Sequence, residues 1–165
     1  MTPEQFRKQL ANMHLNVEKA INEDIPRIAG NEVARLFRQN FQQEGFFGKK
    51  WDEVNRRKTK EVSYKTKNGK LKTKTITNAR GADGKRKILT GRTGDLGRSI
   101  KVKTEPRKAI IYSDLKYSLA HNEGTSNAGR GGRTRIPKRQ FIGDSPEVQA
   151  AVERIIKDQF NNIFK

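Results

Sequence analysis

Between Phe6 and Phe41 the apolar side chains keep to one helical stripe. Phe6, Leu10, Met13, Val17 and Ile21 follow at steps of three and four, and the pattern resumes at Ile28, Val33, Leu36, Phe37 and Phe41. A period near 3.6 commits residues 1–44 to helix and excludes a strand there. Thr2 can cap the first turn, Pro3 suits it, and Glu4 lies at the positive end of the helix dipole. Pro26 has no N–H, and its ring crowds the preceding turn, so it should kink or break the helix near Asp24-Ile25. Gly45 is the expected stop. A second helix is expected over 145–164: Ser145 is the N-cap, Pro146 and Glu147 open it, and Val148, Val152, Ile155, Phe160 and Ile163 form its buried stripe.

The middle of the chain reads as short strands. In 61–76, Val62, Tyr64 and Thr66 alternate with polar residues, as do Leu71, Thr73 and Thr75, and Asn68-Gly69 lies between the runs as a hairpin signal. A two-residue turn would set position 67 against 70, 65 against 72 and 63 against 74. Ser63, Lys65, Lys67, Lys70, Lys72 and Lys74 would then share one face, with two Lys–Lys pairs directly opposed. Such pairs destabilise a ladder by some tenths of a kcal/mol each, which predicts a loose hairpin. Residues 78–87, NARGADGKRK, read as a flexible basic linker. Thr90-Gly91 and Thr93-Gly94 supply a tight corner before Leu96 and Ile100. Ser99–Thr104 and Lys108–Ser113 read as strands joined across Glu105-Pro106-Arg107; the second is apolar on both faces and is expected inside a sheet. Residues 124–135, GTSNAGRGGRTR, read as mobile, and Ile136-Pro137 with Phe141-Ile142 as the anchors that return this loop to the core.

With 32% hydrophobic and 33% charged residues in 165, only one modest core fits, so the chain is read as one domain (1–165), with 88–143 holding the sheet and its loops. The expected core side chains are Trp51, Leu96, Ile100, Tyr117 and Phe141. Thirty-six basic against 18 acidic residues leave a net charge of +18, which directs the chain toward nucleic acid, an anionic membrane surface or an acidic protein. The candidate contact residues are Lys65, Lys67, Lys70, Lys72 and Lys74 in the hairpin and Arg130, Arg133 and Arg135 in the glycine-rich loop. Two readings of the hairpin lysines stay open. They keep a solvated edge from pairing with another chain, or they reach phosphates or an acidic neighbour.

Catalytic chemistry is scarce. Cysteine is absent, which removes disulfides and thiol chemistry. His14 and His121 lie far apart, His14 on the solvent side of its helix, and a zinc site is not expected. Gly124 to Gly129 has phosphate-loop spacing, but Arg130-Gly131 stands where lysine and a hydroxyl are needed. Asp52-Glu53 and Asp95 lack partners for a metal, and no cofactor or small-molecule substrate is expected. The start MTPEQFRKQL has no apolar run of a signal peptide, and no stretch reaches a membrane span, so a soluble protein made in the cytoplasm is expected.

Four segments in order carry a resemblance: 44–57, EGFFGKKWDEVNRR; 88–100, ILTGRTGDLGRSI; 110–124, IIYSDLKYSLAHNEG; and 136–146, IPKRQFIGDSP. Together they resemble the phage virion morphogenesis family, the tail-completion and head–tail joining proteins of tailed bacteriophages and prophages. The pattern departs at Gln140, where proline is usual, and at Ser118, where alanine is. The resemblance implies an α+β fold: a long N-terminal helix, a small antiparallel sheet and a C-terminal helix packed on it. It also implies a structural role in a ring, commonly a hexamer, at the tail end or head–tail junction. Other tail and neck proteins would be its partners, with assembly in the host bacterial cytoplasm. The lysine hairpin falls in the family's most variable region and inherits nothing. The rival reading is a stand-alone basic nucleic-acid-binding protein, for which the charge is the whole argument.

Overall fold

Helix α1 (Pro3–Lys19), one π-helical turn (Ala20–Asp24) and helix α2 (Ile25–Gln43) follow one another without a break in the computed structural model, which describes residues 1–79 and 81–165. Thr2 opens α1 with a capping box: its Oγ1 accepts the Gln5 N–H at 3.2 Å, and its own N–H donates to Gln5 Oε1 at 2.8 Å. The π-turn is how the helix meets Pro26. Ile25 N–H reaches back five residues to Ala20 O, so the winding loosens just ahead of the proline. Pro26 has no N–H to give the carbonyl four residues earlier, that of Asn22. Arg107 serves it instead, its N–H donating to Asn22 O at 3.4 Å and its Nε to Asn22 Oδ1 at 3.0 Å.

Helix α2 carries the buried face, with Ala29, Val33, Ala34, Phe37 and Phe41 among its covered residues. It ends one residue before the expected glycine, because Glu44 itself takes the left-handed conformation at φ 54°. Its side chain is held there: Glu44 Oε1 accepts the Ile88 N–H at 2.7 Å and an N–H of Arg57. Strands β1 (Gly45–Phe46) and β2 (Lys49–Lys50) then make a small hairpin that delivers Trp51 to the core.

The remaining elements are β3 (Thr59–Lys65), β4 (Leu71–Thr77), the short helices α3 (Ala82–Lys85) and α4 (Asp95–Arg98), β5 (Ile100–Glu105), β6 (Lys108–Ser113), α5 (Ser118–Glu123), β7 (Thr125–Ala128), β8 (Thr134–Ile136) and α6 (Pro146–Ile163). The described strands form four antiparallel pairs: β1–β2, β3–β4, β5–β6 and β7–β8. Helix α2 lies on β5–β6 so closely that a Cβ on Gly30 would come within 2.7 Å of Val102 Cγ1 and 2.9 Å of Ala109 Cβ. Helix α6 packs along α2, with Ser145 Oγ accepting the Val148 N–H at 3.2 Å as its cap, and Arg154 reaches Glu32 across the pair at 3.6 Å. Together α2, β6 and α6 line an apolar groove of about 530 Å³. At the centre Phe41 meets the rings of Phe141 at 5.1 Å and Trp51 at 5.7 Å, with Phe37, Ile88, Leu96 and Ile100 around them.

Three expectations need correction. Strand β6 is not interior: it pairs with β5 alone, and its apolar side chains are half-buried, some against α2 and the groove. Residues 124–135 are not shapeless. They fold into the β7–β8 hairpin, with Thr125 opposite Ile136 and Ala128 opposite Thr134 around an irregular register, and Gly129, Gly131 and Gly132 at positive φ turn the chain. The stretch 78–87 is tied down where it is described: α3 lies within it, and Arg56 Nη2 donates to Arg86 O at 2.9 Å and Lys87 O at 2.7 Å. Arg80 of that stretch lies outside the described residues.

Candidate functional site

The basic hairpin β3–β4 stands clear of the body, exposed on both faces except at Thr66 and Ile76. It is joined at its base, where Asn78 N–H donates to Lys58 O and Ala79 N–H to Arg56 O, both at 3.0 Å, and Asn78 Nδ2 to Asn55 O at 2.8 Å. Its register differs from the two-residue turn expected. Thr66 N–H donates to Lys70 O at 2.8 Å and Gly69 N–H to Thr66 O at 2.9 Å, so Lys67, Asn68 and Gly69 form a three-residue loop, with Gly69 at φ 74°. That one-residue slip moves every β4 side chain to the opposite face. Lys72 now lies opposite Tyr64, Lys74 opposite Val62 and Leu71 opposite Lys65. No lysine opposes a lysine across the ladder, and the like-charge penalty expected from the sequence is absent. The lysine stems can instead cover their apolar partners while the ammonium groups remain in water.

The charges of the arm are nevertheless uncompensated. Among the described residues no carboxylate lies within salt-bridge reach of Lys65, Lys67, Lys70, Lys72 or Lys74, nor of Arg130, Arg133 or Arg135 on the β7–β8 hairpin. Lysines on the body are treated differently: Lys101 pairs with Asp114 at 2.5 Å, Lys103 with Glu105 at 2.7 Å and Lys138 with Glu123 at 3.0 Å.

The four sequence segments meet at a second place, the strap 138–142. Trp51 Nε1 donates to Gln140 O at 2.8 Å, and Arg139 N–H to His121 O at 2.8 Å. The Arg139 guanidinium donates Nε and Nη2 to Asp52 O at 3.3 and 3.0 Å. Asn122 Oδ1 accepts the N–H groups of Phe141 and Ile142 at 2.9 and 3.0 Å, and buried Asn40 donates Nδ2 to Phe141 O at 3.4 Å. Gly124, at φ 76°, lets the strap pass, since a Cβ there would lie 2.7 Å from Lys138 N. Trp51, Leu96, Ile100 and Phe141 are all buried. Tyr117 is a correction: it stands at the surface, 45% exposed, with its ring edge-on to His121 at 5.9 Å. Asn40 and Asn122, which splice the strap, were missed because an isolated asparagine carries no pattern.

Titration departs from the ordinary at few places here. Burial pushes the Glu44 carboxyl up, but the Ile88 amide and Arg57 together outweigh it and hold the group below its usual range. Burial, aided by Arg139, holds His121 below the ordinary histidine value. Among the described residues no cluster of three or more metal-ligating side chains forms, and no helix is long and apolar enough to cross a membrane.

Compared with known proteins, residues 4–161 match the model of the phage virion morphogenesis family. No curated protein and no solved structure matches the chain.

Proposed function

The chain belongs to the phage virion morphogenesis family, and from that premise we propose that it is a ring subunit that completes the tail or joins head to tail. The observation that carries this reading is helix α1. It is seventeen residues long and buries none of them, yet it bears the apolar stripe, with Phe6 57% and Leu10 56% exposed. A free helix of that length is marginal in water unless its apolar face is covered. A neighbouring subunit is the natural cover, and the open groove between α2, β6 and α6 adds apolar surface on the same molecule. The role is structural, with no reaction catalysed; the partners are further copies of this chain and other tail or neck proteins, and the destination is the virion.

Electron microscopy of the purified chain in physiological salt should show rings, and Phe6→Asp with Leu10→Asp should abolish them while the melting temperature stays near that of the parent. Rings that persist in the double variant would remove α1 from the interface. A second reading, contact with DNA, is favoured by the arm alone, whose lysines have no protein counter-charge.

A further inference from the structure

Arg56, His121 and Arg139 line one cavity of about 270 Å³, walled also by Val54, by the turn residues Leu89, Thr90, Gly91, Thr93, Asp95 and Leu96, and by Tyr117. Arg56 Nε and His121 Nδ1 are the buried side-chain nitrogens among the described residues that have no hydrogen-bond partner. An orphaned buried polar nitrogen is rare in a folded protein, and two from residues on one cavity call for a common explanation. The guanidinium groups are not adrift. Arg56 is pinned through Nη2 to Arg86 O and Lys87 O, and Arg139, only 7% exposed, through Nε and Nη2 to Asp52 O.

The charge is also unbalanced. Asp95 is the single carboxylate on the cavity wall, and it is already engaged by Thr93 Oγ1 and by Arg98 at 2.9 Å. Asp52 and Glu53 act on Arg139 from off the cavity wall, so the wall itself carries two neighbouring guanidinium groups and one engaged carboxylate, a balance that an anion would improve. One water occupies about 30 Å³, far less than the space present, and as a neutral molecule it would add no negative charge beside the two guanidinium groups.

We propose that this cavity binds a phosphate oxyanion, with Arg56 Nε–H, His121 Nδ1–H and the Arg139 guanidinium as donors. The site is separate from the arm and does not depend on the assembly reading. The oxyanion comes either from free phosphate or from a nucleic-acid backbone, and the two are separable.

The test titrates sodium phosphate into the full chain against sodium chloride at constant ionic strength, following the Arg56 Nε–H and His121 ring signals by nitrogen-15 NMR. Saturable shifts of both signals are expected with phosphate and not with chloride. His121→Phe keeps a ring beside Tyr117 but removes the donor, and should weaken phosphate binding about tenfold, as loss of a charge-assisted hydrogen bond does. Shifts that never saturate, or the same affinity in His121→Phe, would overturn the site, and the wild-type titration stands even if the variant folds poorly. A duplex oligonucleotide then assigns the source. Weakened duplex binding in His121→Phe identifies a backbone phosphate; unchanged duplex binding with weakened phosphate binding identifies the free ion, and either result supports the cavity as an oxyanion site.

Discussion

Trp51 sets its ring edge-on to Phe41 and gives its ring N–H to Gln140 O, so it anchors both the core and the strap. Trp51→Ala should cost about 3–5 kcal/mol, read as a large fall in melting temperature, with near-parental melting as the contrary result. Glu44 yields a pH prediction. Its folded pKa is depressed, so its contribution is complete above the ordinary glutamate range and is lost as pH falls through the lower folded value. Stability of the parent should therefore drop on acidification more steeply than that of Glu44→Gln, measured as melting temperature across the acid range. At this scale the sequence was legible where size decides. A lone tryptophan beside two phenylalanines in a chain poor in apolar residues has few places to go but inward. Tyr117 shows the limit: an amphipathic ring next to a turn sits equally well at the surface, and nothing in the local pattern distinguishes the two positions.

The arm β3–β4 touches the body only near its base, so its lysines can be removed without disturbing the core. Changing Lys65, Lys67, Lys70, Lys72 and Lys74 to glutamine should leave the melting temperature unchanged, since no opposed lysine pairs exist to relieve. If the arm meets duplex DNA, the same variant should flatten the dependence of affinity on salt by about 0.9 in log–log slope per lost phosphate contact. Equal affinity and slope in the variant would make the lysines a guard against edge pairing. The register of this arm was not legible because Asn-Gly serves both as a two-residue turn and as the end of a three-residue loop. The faces then depend on a hydrogen bond from Thr66 N–H to Lys70 O that no alternation pattern encodes. The β7–β8 hairpin was missed for a related reason: its glycines turn the chain where composition suggests only freedom. The helices were legible because their period survives local distortion. The π-turn at Ala20–Asp24 and the proline after it fell where the sequence placed a disturbance, though as loosened winding rather than a break.

For the molecule as a whole, charge opposes the assembly that the exposed helix favours. Six subunits at +18 would carry 6 × 18 = +108, and salt screens separations beyond about 8 Å at physiological strength. Sedimentation across a salt series should find monomer or weak oligomer at low ionic strength, with rings gaining as salt or a polyanion is added. A stable ring in low salt without a partner would show that the charges are arranged to avoid one another. The π-turn also has a consequence for the angular phase of the chain. Each residue turns a helix by about 100°, so a turn wound with one residue too many sets α1 out of phase with α2. Deleting Glu23, an exposed residue in that turn, should restore ordinary winding and swing the stripe of Phe6 and Leu10 by about 100° around its axis. Because α1 has no fully buried residue, such a chain should melt close to the parent and yet fail to form rings by sedimentation. The π-turn would then act as a fixed key, setting the direction in which a folded subunit offers its neighbour a hand.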